Sequence, residues 1–436
     1  MQTPIRGFSK LSKEEKINWI VAHYFHDNSD AKRTLTAYWN QDENLQALHD
    51  DFIENTISNY YLPLGVAPNF NINGTLFTIP MAIEESSVVA AAAKAAKYWG
   101  DRGGFRTEIL GEEKIGQIHF IYNGDGKKLN EFVKEIQPSL LEDVTSITSN
   151  MTKRGGGITG LTLRDKTTDL PNYYQLHLQF QTVDSMGANF INSCLEAIAK
   201  RFKLYIKEDD RFLEDEKAIE IVMSILSNYV PNCVAKAWVR CPIEDLEREE
   251  GLTQRAFAEK FVRAVNIAQL EPYRAVTHNK GIMNGVDAVV IATGNDFRAV
   301  EAGVHAYAAR KGQYSSLSNA FIEGDDFCFE LALPLAVGTV GGLTKLHPLV
   351  KWSMELLGNP SAKELMQIIV VAGLAQNFAA VRSLVTSGIQ KGHMKMHLLN
   401  ILNQLNANDL QKEAAIEYFK TTAVSFSAVE NFLQNK

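Results

Sequence analysis

The sequence predicts an α+β fold in which a large, mainly helical domain carries a small inserted domain and continues into a helical C-terminal segment. The main observation is a change of pattern between about residues 114 and 217, where strand, helix, strand, strand and helix follow one another. That order is typical of a split β-α-β unit with antiparallel pairing, not of repeated parallel units. Because helical periodicity dominates on both sides, we interpret this unit as an insertion.

The domain boundaries follow from the same change of pattern. A chain of 436 residues is long enough for two or three domains. We predict that residues 1–112 and 219–376 form the two parts of the large domain. Residues 113–218 form the small domain, and residues 377–436 form the C-terminal helical segment.

Composition excludes several classes of protein. The chain is 45% hydrophobic and 22% charged, with a formal net charge of −7. That charge argues against a protein built mainly to bind nucleic acid. Its four cysteines stand apart with no C-x-x-C pair, so neither a disulfide framework nor a cysteine zinc site is indicated. We expect core thiols in a reducing cytosol.

Membrane association is not expected. No apolar run approaches the roughly 20 residues that a spanning helix needs. The most apolar stretches, 88–96 and 368–375, are interpreted as buried helices. The N-terminus lacks the apolar centre of a signal peptide. We therefore expect a cytoplasmic protein without a membrane partner.

Three local signals predict the first elements. Residues 8–50 are predicted to form short helices, one of which starts at the capping signal Ser-Lys-Glu-Glu, residues 12–15. The stretch "FNINGTLFTIPMAIEE" predicts a hairpin that turns at Asn73-Gly74. The alanine-rich "SSVVAAAAKAAKYWG" predicts a helix with serines at its start and glycine at its end.

Two glycine-containing turns in the small domain are candidates for cofactor binding. "GGGITG" at 155–160 matches G-x-G-x-x-G, but polar residues precede it and the strand-like "LTLRD" follows, so a Rossmann site is rejected in favour of a plain turn. Met186-Gly187-Ala188-Asn189 lies between a strand and a helix, where backbone N–H groups bind phosphate. An ordinary strand–turn–helix junction is the alternative for that segment.

Acidic and basic residues elsewhere suggest proton chemistry. Glu84 and Glu85 lie between a strand and a helix, where they either serve the helix dipole or, beside a lysine in a dry pocket, provide a general acid. Lys280 and Asp296 flank the apolar run 288–292, which we interpret as a strand that holds them as a pair.

A histidine near the C-terminus is a further candidate. His393 and His397 have a zinc-like spacing, but no acidic residue lies between them and no third ligand is near, so we expect no metal. The glycine before His393 favours a mobile segment that delivers one imidazole, and a solvated helix end is the alternative.

Taken together, six stretches in order resemble the bacterial (class II) type of 3-hydroxy-3-methylglutaryl-CoA reductase over nearly the whole chain. They read "IENTISNYYLPLGVAPNF", "PMAIEESSVVAAAAKAAK", "VDSMGANFIN", "EPYRAVTHNKGIMNGVDAVVIATGNDFRAVEAGVHAYAAR", "VGGLTKLHP" and "GLAQNFAAVRSLVTSGIQKGHMKMH". Small departures, such as Ser58 at the end of the Glu-Asn-x-Ile-Gly motif and Glu-Glu-Ser-Ser for Glu-Glu-Pro-Ser, touch no catalytic position.

The resemblance implies an activity and a set of catalytic residues. The activity is the interconversion of 3-hydroxy-3-methylglutaryl-CoA and mevalonate plus CoA by two nicotinamide hydride transfers. The family's catalytic residues match Glu85, Lys280, Asp296 and His393. On this basis Lys280 stabilises the alkoxide, Asp296 keeps the ammonium charged, His393 protonates the CoA thiolate and Glu85 supplies a proton to the aldehyde.

The resemblance also implies binding residues and an assembly. The substrate pocket corresponds to Ser87, Arg274, Asn284 and Ala380, and Arg274 suits a free carboxylate. The cofactor site corresponds to Asp184, Met186, Gly187, Asn189 and Asn228. The implied fold places the nicotinamide on a non-Rossmann, ferredoxin-like small domain and the histidine on a C-terminal helical flap. Its active site lies between subunits, so a homodimer or higher even oligomer is expected.

Cofactor preference depends on one loop. Members that prefer NADH have an aspartate seven residues before the Gly-Gly-Gly, where this sequence has Thr148. Lys153 and Arg154 lie close by. A missing acid and available bases favour the 2′-phosphate of NADPH over NADH.

Two alternatives to this activity remain open on the sequence. One is a CoA-thioester lyase or hydrolase that uses Lys280 and His393 without a nicotinamide, which leaves the Met-Gly-Ala-Asn turn without a purpose. The other is a catalytically silent binding homologue, against which the retention of all four catalytic residue types argues.

Overall fold

The computed structural model describes residues 4–249, 251–386, 398–419 and 422–434. The chain divides into two compact units, Met1–Pro63 and Leu64–Lys436. The division after residue 63 falls well before the predicted end of the first segment at 112. The mixture of helices with antiparallel sheets confirms the predicted α+β class.

The first unit contains short helices, as predicted. They are a 3-10 turn at Phe8–Lys10, α1 (Lys13–Tyr24), α2 (Ser29–Ala37) and α3 (Glu43–Asp50). The predicted start signal of α1 is confirmed as a capping box, in which the Ser12 hydroxyl accepts from the Glu15 N–H and the Glu15 carboxylate accepts from the Ser12 N–H.

The second unit contains ten strands among the described residues. They are β1 (Leu64–Ile72), β2 (Thr75–Ala82), β3 (Arg106–Ile109), β4 (Lys114–Ile121), β5 (Gly157–Asp165), β6 (Tyr173–Gln181), β7 (Glu220–Ser227), β8 (Val234–Pro242), β9 (Ser318–Glu323) and β10 (Asp326–Pro334).

The helices of the second unit include two of more than 20 residues that form the walls of the site described below, α10 and α14. In chain order they are α4 (Val88–Gly100), α5 (Gly126–Asp143), α6 (Thr145–Thr152), α7 (Ala188–Glu208), α8 (Glu214–Lys217), α9 (Gln254–Leu270), α10 (Pro272–Ala292), α11 (Phe297–Ala308), α12 (Leu343–Leu346), α13 (Pro348–Leu356), α14 (Ala362–Val385), α15 (398–404), α16 (Asp409–Tyr418) and α17 (Phe426–Gln434). A further 3-10 turn lies at Ile243–Asp245.

The hairpin and the alanine-rich helix are confirmed at the predicted positions. β1 and β2 pair antiparallel around Asn73-Gly74, both with positive φ, the conformation that this turn type needs. α4 follows, but Ser87 before it makes no side-chain cap. Ser87 instead adopts φ 75°, a left-handed conformation that costs a serine free energy.

Residues 114–227 of the second unit, called the small domain below, have a separate hydrophobic cluster, the predicted order of elements and one more strand. Its sheet runs β5-β6-β4-β7 with all three pairings antiparallel, and α5 and α7 pack with it. The strand β7 lies beyond the predicted boundary at 218. In the "GGGITG" segment a turn ends at Gly155 and β5 begins at Gly157, so a strand and not a helix follows, which agrees with the rejection of a Rossmann site.

The rest of the second unit, called the large domain below, contains another antiparallel sheet, β3-β8-β10-β9, against which α14 packs. α10 packs against α14, and Gly285 lets the two backbones approach, because a Cβ there would overlap the Ala372 carbonyl. The predicted strand at 288–292 is wrong, because these residues are the last turns of α10. A short apolar run that is buried by several neighbours has no periodicity that separates strand from helix.

The longest described helix, α14, begins before the last predicted segment and extends into it. α14 runs through the predicted boundary between residues 376 and 377, so that boundary falls inside a helix. Among the described residues α14 is long and apolar enough to cross a membrane, but most of it is buried inside the protein, as in the core helix of a globular domain. The predicted buried helix at 368–375 is therefore confirmed. Residues 398–434 carry a separate small apolar cluster that includes Leu402 and Ala415.

Candidate active site

A cavity of about 880 Å³ opens beside the starts of α4 and α10 and the last turns of α14. That size is ordinary for a small-molecule site. The cavity brings together six of the residues that the sequence singled out. They are Glu85, Ser87, Arg274, Lys280, Asn284 and Ala380.

An ion pair between Lys280 and Glu85 lies at the cavity wall. The Lys280 Nζ donates to Glu85 Oε2 at 2.5 Å across 195 residues of sequence. Both side chains reach solvent, since Lys280 is 58% and Glu85 36% exposed. An exposed pair contributes little to stability, so its position in a cavity indicates a chemical use more than a structural one.

Glu85 does not serve the helix that follows it. The first turn of α4 contains no acidic residue, and the Glu85 side chain contacts Lys280 instead. The strained Ser87 lies between Glu85 and α4 and turns the chain at this point. Of the two interpretations of the Glu84–Glu85 pair, the contact with a lysine is the one observed for Glu85.

Arg274 gives the cavity a positive end. Its guanidinium is half-buried, and burial lowers its pKa below the usual 12.5. Among the described residues no carboxylate lies within ion-pair distance of it, although its backbone N–H donates to Glu271. A partly desolvated guanidinium without a carboxylate has its donors available for an anionic ligand.

Asp296 lies at the far end of α10 from Lys280. Lys280 precedes Ala292, the last residue of α10, by a helical rise of about 18 Å. Asp296 caps α11 by accepting from the Arg298 and Ala299 N–H groups, and it pairs with the Arg298 guanidinium. Within one chain the predicted pairing of Asp296 with Lys280 is therefore wrong, because a helix and not a strand joins them.

The predicted catalytic His393 lies outside the described residues, as does His397. Among the residues that the structure describes, no three histidine, cysteine, aspartate or glutamate side chains lie close enough together to hold a metal ion.

The predicted phosphate-binding turn has the expected position in the small domain. Gly187, with φ 89°, precedes the first residue of α7, and its neighbours Met186 and Asn189 lie on either side of that helix start. Below the turn, the buried Lys114 ammonium donates to Thr182 Oγ1 at 2.6 Å and to the Ser185 carbonyl at 2.7 Å. Burial lowers the pKa of Lys114. The turn thus has a cation close beneath it.

Asp184, just before this turn, and Asn228, just after β7, both contact elements outside the small domain. Asp184 Oδ1 accepts from the Ala362 N–H at the start of α14, and its carbonyl accepts from Thr339. Asn228 is exposed, and its carbonyl lies against Gly303 of α11. The two residues therefore contact the large domain at its border with the small one.

The residues predicted to determine the cofactor preference lie in α6 and directly after it. Thr148 is half-buried within the helix, whereas Lys153 and Arg154 are exposed after its last turn. The Arg154 Nε donates to the Asn150 carbonyl. Among the described residues neither base forms an ion pair with an acid, so their charge is available at this surface.

Several cavity or turn residues were not singled out by the sequence. His278 and Asn377 line the cavity on α10 and α14, and Lys114 lies below the small-domain turn. His278 and Asn377 stand inside the quoted motifs, and their polar type within buried helical stretches is a signal that was available. Lys114 carries no such signal, because nothing local marks the first residue of a strand as buried.

Comparisons with known proteins identify the family. A family model described as hydroxymethylglutaryl-coenzyme A reductase matches residues 14–398. A 3-hydroxy-3-methylglutaryl-coenzyme A reductase from Archaeoglobus fulgidus is 36% identical over 420 residues, which cover 96% of this chain and 91% of that protein. A probable reductase of the same name from Borreliella burgdorferi is 36% identical and covers 84% of this chain and 82% of its own.

Solved structures agree with these sequence matches. The 3-hydroxy-3-methylglutaryl-coenzyme A reductase from Streptococcus pneumoniae has a TM-score of 0.74 at 35% identity, with 99% of each chain covered. A structure of the class II enzyme from that organism, bound to NADPH in open conformations, has a TM-score of 0.73 at 37% identity and covers 87% of this chain and 99% of its own.

Proposed function

The chain belongs to the hydroxymethylglutaryl-coenzyme A reductase family, and on that premise we propose that it interconverts 3-hydroxy-3-methylglutaryl-CoA and mevalonate plus free CoA. It is an oxidoreductase of the class II type. In the reductive direction two reduced nicotinamides and two protons are consumed for each thioester. The first hydride leads to a mevaldehyde-level intermediate as the C–S bond breaks, and the second reduces that aldehyde.

The observation that carries the proposal is the Lys280–Glu85 pair in a cavity that also contains Arg274. Hydride attack on a carbonyl places negative charge on oxygen, and the Lys280 ammonium is the group that stabilises it. Glu85, in contact with that ammonium, is the group that supplies a proton to the aldehyde oxygen. One contact thus provides the electrophile and the acid.

Arg274 is proposed to bind the free carboxylate of the acyl group. Its guanidinium has no carboxylate partner among the described residues, and the planar fork binds a carboxylate with two parallel hydrogen bonds. Ser87, Asn284 and Ala380 line the same cavity and are proposed to contact the rest of the acyl group.

The small domain is proposed to bind the nicotinamide cofactor as a ferredoxin-like unit. Its element order β-α-β-β-α-β and antiparallel sheet support that description. The start of α7 offers backbone N–H groups to a phosphate, with the Lys114 cation beneath them. Asp184, Met186, Gly187, Asn189 and Asn228 are the proposed cofactor residues.

NADPH is the proposed preferred cofactor. Lys153 and Arg154 are exposed at the end of α6 without acidic partners, and Thr148 supplies no carboxylate to a ribose hydroxyl. The NADPH bound to the Streptococcus pneumoniae enzyme is consistent with this choice. No metal is proposed in the reaction.

A second copy of the chain is proposed to complete the site. Asp296 is too far along α10 to reach Lys280 in its own chain, so any action on that lysine must come from a partner. His393, on the C-terminal flap, is proposed to protonate the CoA thiolate. A homodimer or higher even oligomer follows from this arrangement.

The test is a steady-state assay with 3-hydroxy-3-methylglutaryl-CoA and either NADPH or NADH, followed by absorbance of the reduced nicotinamide. We expect two cofactors oxidised per CoA released, a lower KM for NADPH, and the reverse reaction with mevalonate, CoA and the oxidised cofactor. CoA release without nicotinamide oxidation would instead indicate a thioester lyase or hydrolase. The Lys153→Ala, Arg154→Ala double variant should lose the preference for NADPH.

A further inference from the structure

Four polar side chains from three elements form a continuous chain behind the cavity. Arg274 Nη2 lies 3.5 Å from His278 Nδ1, one turn further along α10. His278 Nε2 lies 2.7 Å from Ser318 Oγ on β9, and Ser318 Oγ donates to Asn377 Oδ1 on α14 at 2.8 Å. The last three side chains are buried, each 2% exposed or less.

Arg274 sets the tautomer of His278 and thereby the direction of the two hydrogen bonds that the imidazole forms. A guanidinium has donors and no acceptor, so the His278 Nδ1 that faces it must carry the lone pair. The proton of the neutral imidazole is then on Nε2, which donates to Ser318 Oγ. The Ser318 hydroxyl then donates to the Asn377 carbonyl oxygen at 2.8 Å, which lies nearer than Ser316 Oγ at 3.3 Å.

The other tautomer of the His278 imidazole is excluded by the Arg274 guanidinium. If the Ser318 hydroxyl donated to His278 Nε2 instead of accepting from it, Nε2 would carry the lone pair of the neutral imidazole. The imidazole proton would then lie on Nδ1 and point at the Arg274 guanidinium, donor against donor. A protonated imidazole has the same conflict, and burial lowers the pKa of His278 to about 3, which keeps the ring neutral.

We propose that His278, held by Ser318 and Asn377, is a positioning residue that accepts one N–H of Arg274 and so fixes the guanidinium for the substrate carboxylate. This inference rests on the proposed function, in which Arg274 binds the acyl carboxylate. The hydrogen bond to His278 occupies one N–H at Nη2 of Arg274 and leaves the remaining donors of the guanidinium for the ligand. It also joins α10, β9 and α14, the elements behind this wall of the cavity.

The experiment measures the Kd of free 3-hydroxy-3-methylglutarate by calorimetry and the KM values for 3-hydroxy-3-methylglutaryl-CoA and NADPH in the full-length protein. His278→Leu removes both hydrogen bonds and should raise that Kd and the acyl KM about tenfold, with the NADPH KM unchanged. His278→Gln keeps an acceptor and a donor and should stay within about threefold of wild type.

Two further variants separate positioning from a merely structural loss. In an Arg274→Ala background, His278→Leu should cause no further increase in the Kd, because its effect acts through the guanidinium. His177→Leu removes another buried histidine, in the small domain, and should leave the Kd unchanged. If His278→Leu fails to fold by circular dichroism, Ser318→Ala and His278→Gln carry the test, and Ser318→Ala should raise the Kd by a smaller factor.

The proposal is overturned if the foldable variants bind hydroxymethylglutarate like wild type, if the same increase persists without Arg274, or if wild-type protein does not bind this dicarboxylate. A His278-dependent Kd in a protein without reductase turnover would refute the proposed reaction and leave the positioning role standing.

Discussion

Two lysines of the second unit have opposite environments, and the contrast separates a reactive cation from a structural one. Lys280 is 58% exposed at the cavity and contacts the Glu85 carboxylate. Lys114 is 5% exposed below the small-domain turn, and a hydroxyl and a carbonyl accept its hydrogen bonds. Burial lowers the pKa of Lys114.

The difference shows that the exposure of a lysine depends on its tertiary surroundings and not on its neighbours in sequence. Lys280 precedes the apolar run 288–292, a sequence context typical of burial, yet it lies on the open side of a helix. Lys114 is the first residue of β4, and its ammonium is the one that burial removes from water. Each lysine gives a prediction that tests this contrast.

Removal of the exposed lysine should have the largest effect on turnover. We expect Lys280→Ala to lower kcat about 10³-fold, because the cation that stabilises the developing alkoxide is lost. The free energy of unfolding should change by less than about 0.5 kcal/mol, since the ion pair is exposed. The measurements are nicotinamide absorbance and urea denaturation. Lys97→Ala, an exposed lysine of α4 outside the cavity, is the matched control; undiminished turnover in Lys280→Ala would refute its role.

A buried histidine should show the same cost of burial as Lys114, as a loss of stability in acid. The pKa of His278 is lowered to about 3 by burial, with the charge of Arg274 as a second cause. The unfolded chain binds this proton more readily, so stability is lost as the pH falls below about 6.5. Between pH 8 and pH 5 the group should remove about 2 kcal/mol. Urea denaturation should show a smaller acid loss for His278→Gln, and equal losses would contradict the neutral assignment.

Substitution of the buried lysine should affect the cofactor and not the acyl substrate. We expect Lys114→Met to raise the KM for NADPH about tenfold, because the turn loses its cation and its support. The KM for 3-hydroxy-3-methylglutaryl-CoA should not change. Lys127, an exposed lysine in the first turn of α5 in the same domain, provides the control variant Lys127→Met. An equal increase in the KM for NADPH there would remove the contrast.

The same variant carries a stability signature at high pH. The pKa of Lys114 lies below its usual 10.5 in the folded protein, so the unfolded chain binds the proton more readily. The unfolding free energy of wild type should therefore rise relative to Lys114→Met as the pH increases towards 10.5. Urea denaturation at two alkaline pH values measures this difference; a difference that stays constant would place Lys114 in solvent, and one that falls would indicate a raised pKa.

The smallest effect is expected at Ser87, where stability and binding should move in opposite directions. Glycine adopts φ 75° without strain, so Ser87→Gly should stabilise the fold by about 1 kcal/mol. Loss of the hydroxyl from the cavity should weaken acyl binding severalfold. Ser87→Ala loses the hydroxyl and keeps the strain, so it should weaken binding without stabilising. Thermal unfolding and the acyl KM distinguish the two variants, and a destabilised Ser87→Gly would contradict the strain.

The sequence by itself determined the features that local chemistry controls. The capping box at Ser12, the Asn73-Gly74 hairpin and the order of elements in the small domain follow from short-range rules, and all three were predicted. The family followed from motifs that are contiguous in sequence.

Tertiary structure decided what depends on contacts between distant residues. It made residues 288–292 the end of a helix, because burial by several neighbours removes the periodicity that would have identified α10. It paired Lys280 with Glu85 and not with Asp296, and it buried Lys114 instead of Lys280. Desolvation and ion pairing depend on the three-dimensional surroundings of a charge, which no local pattern specifies.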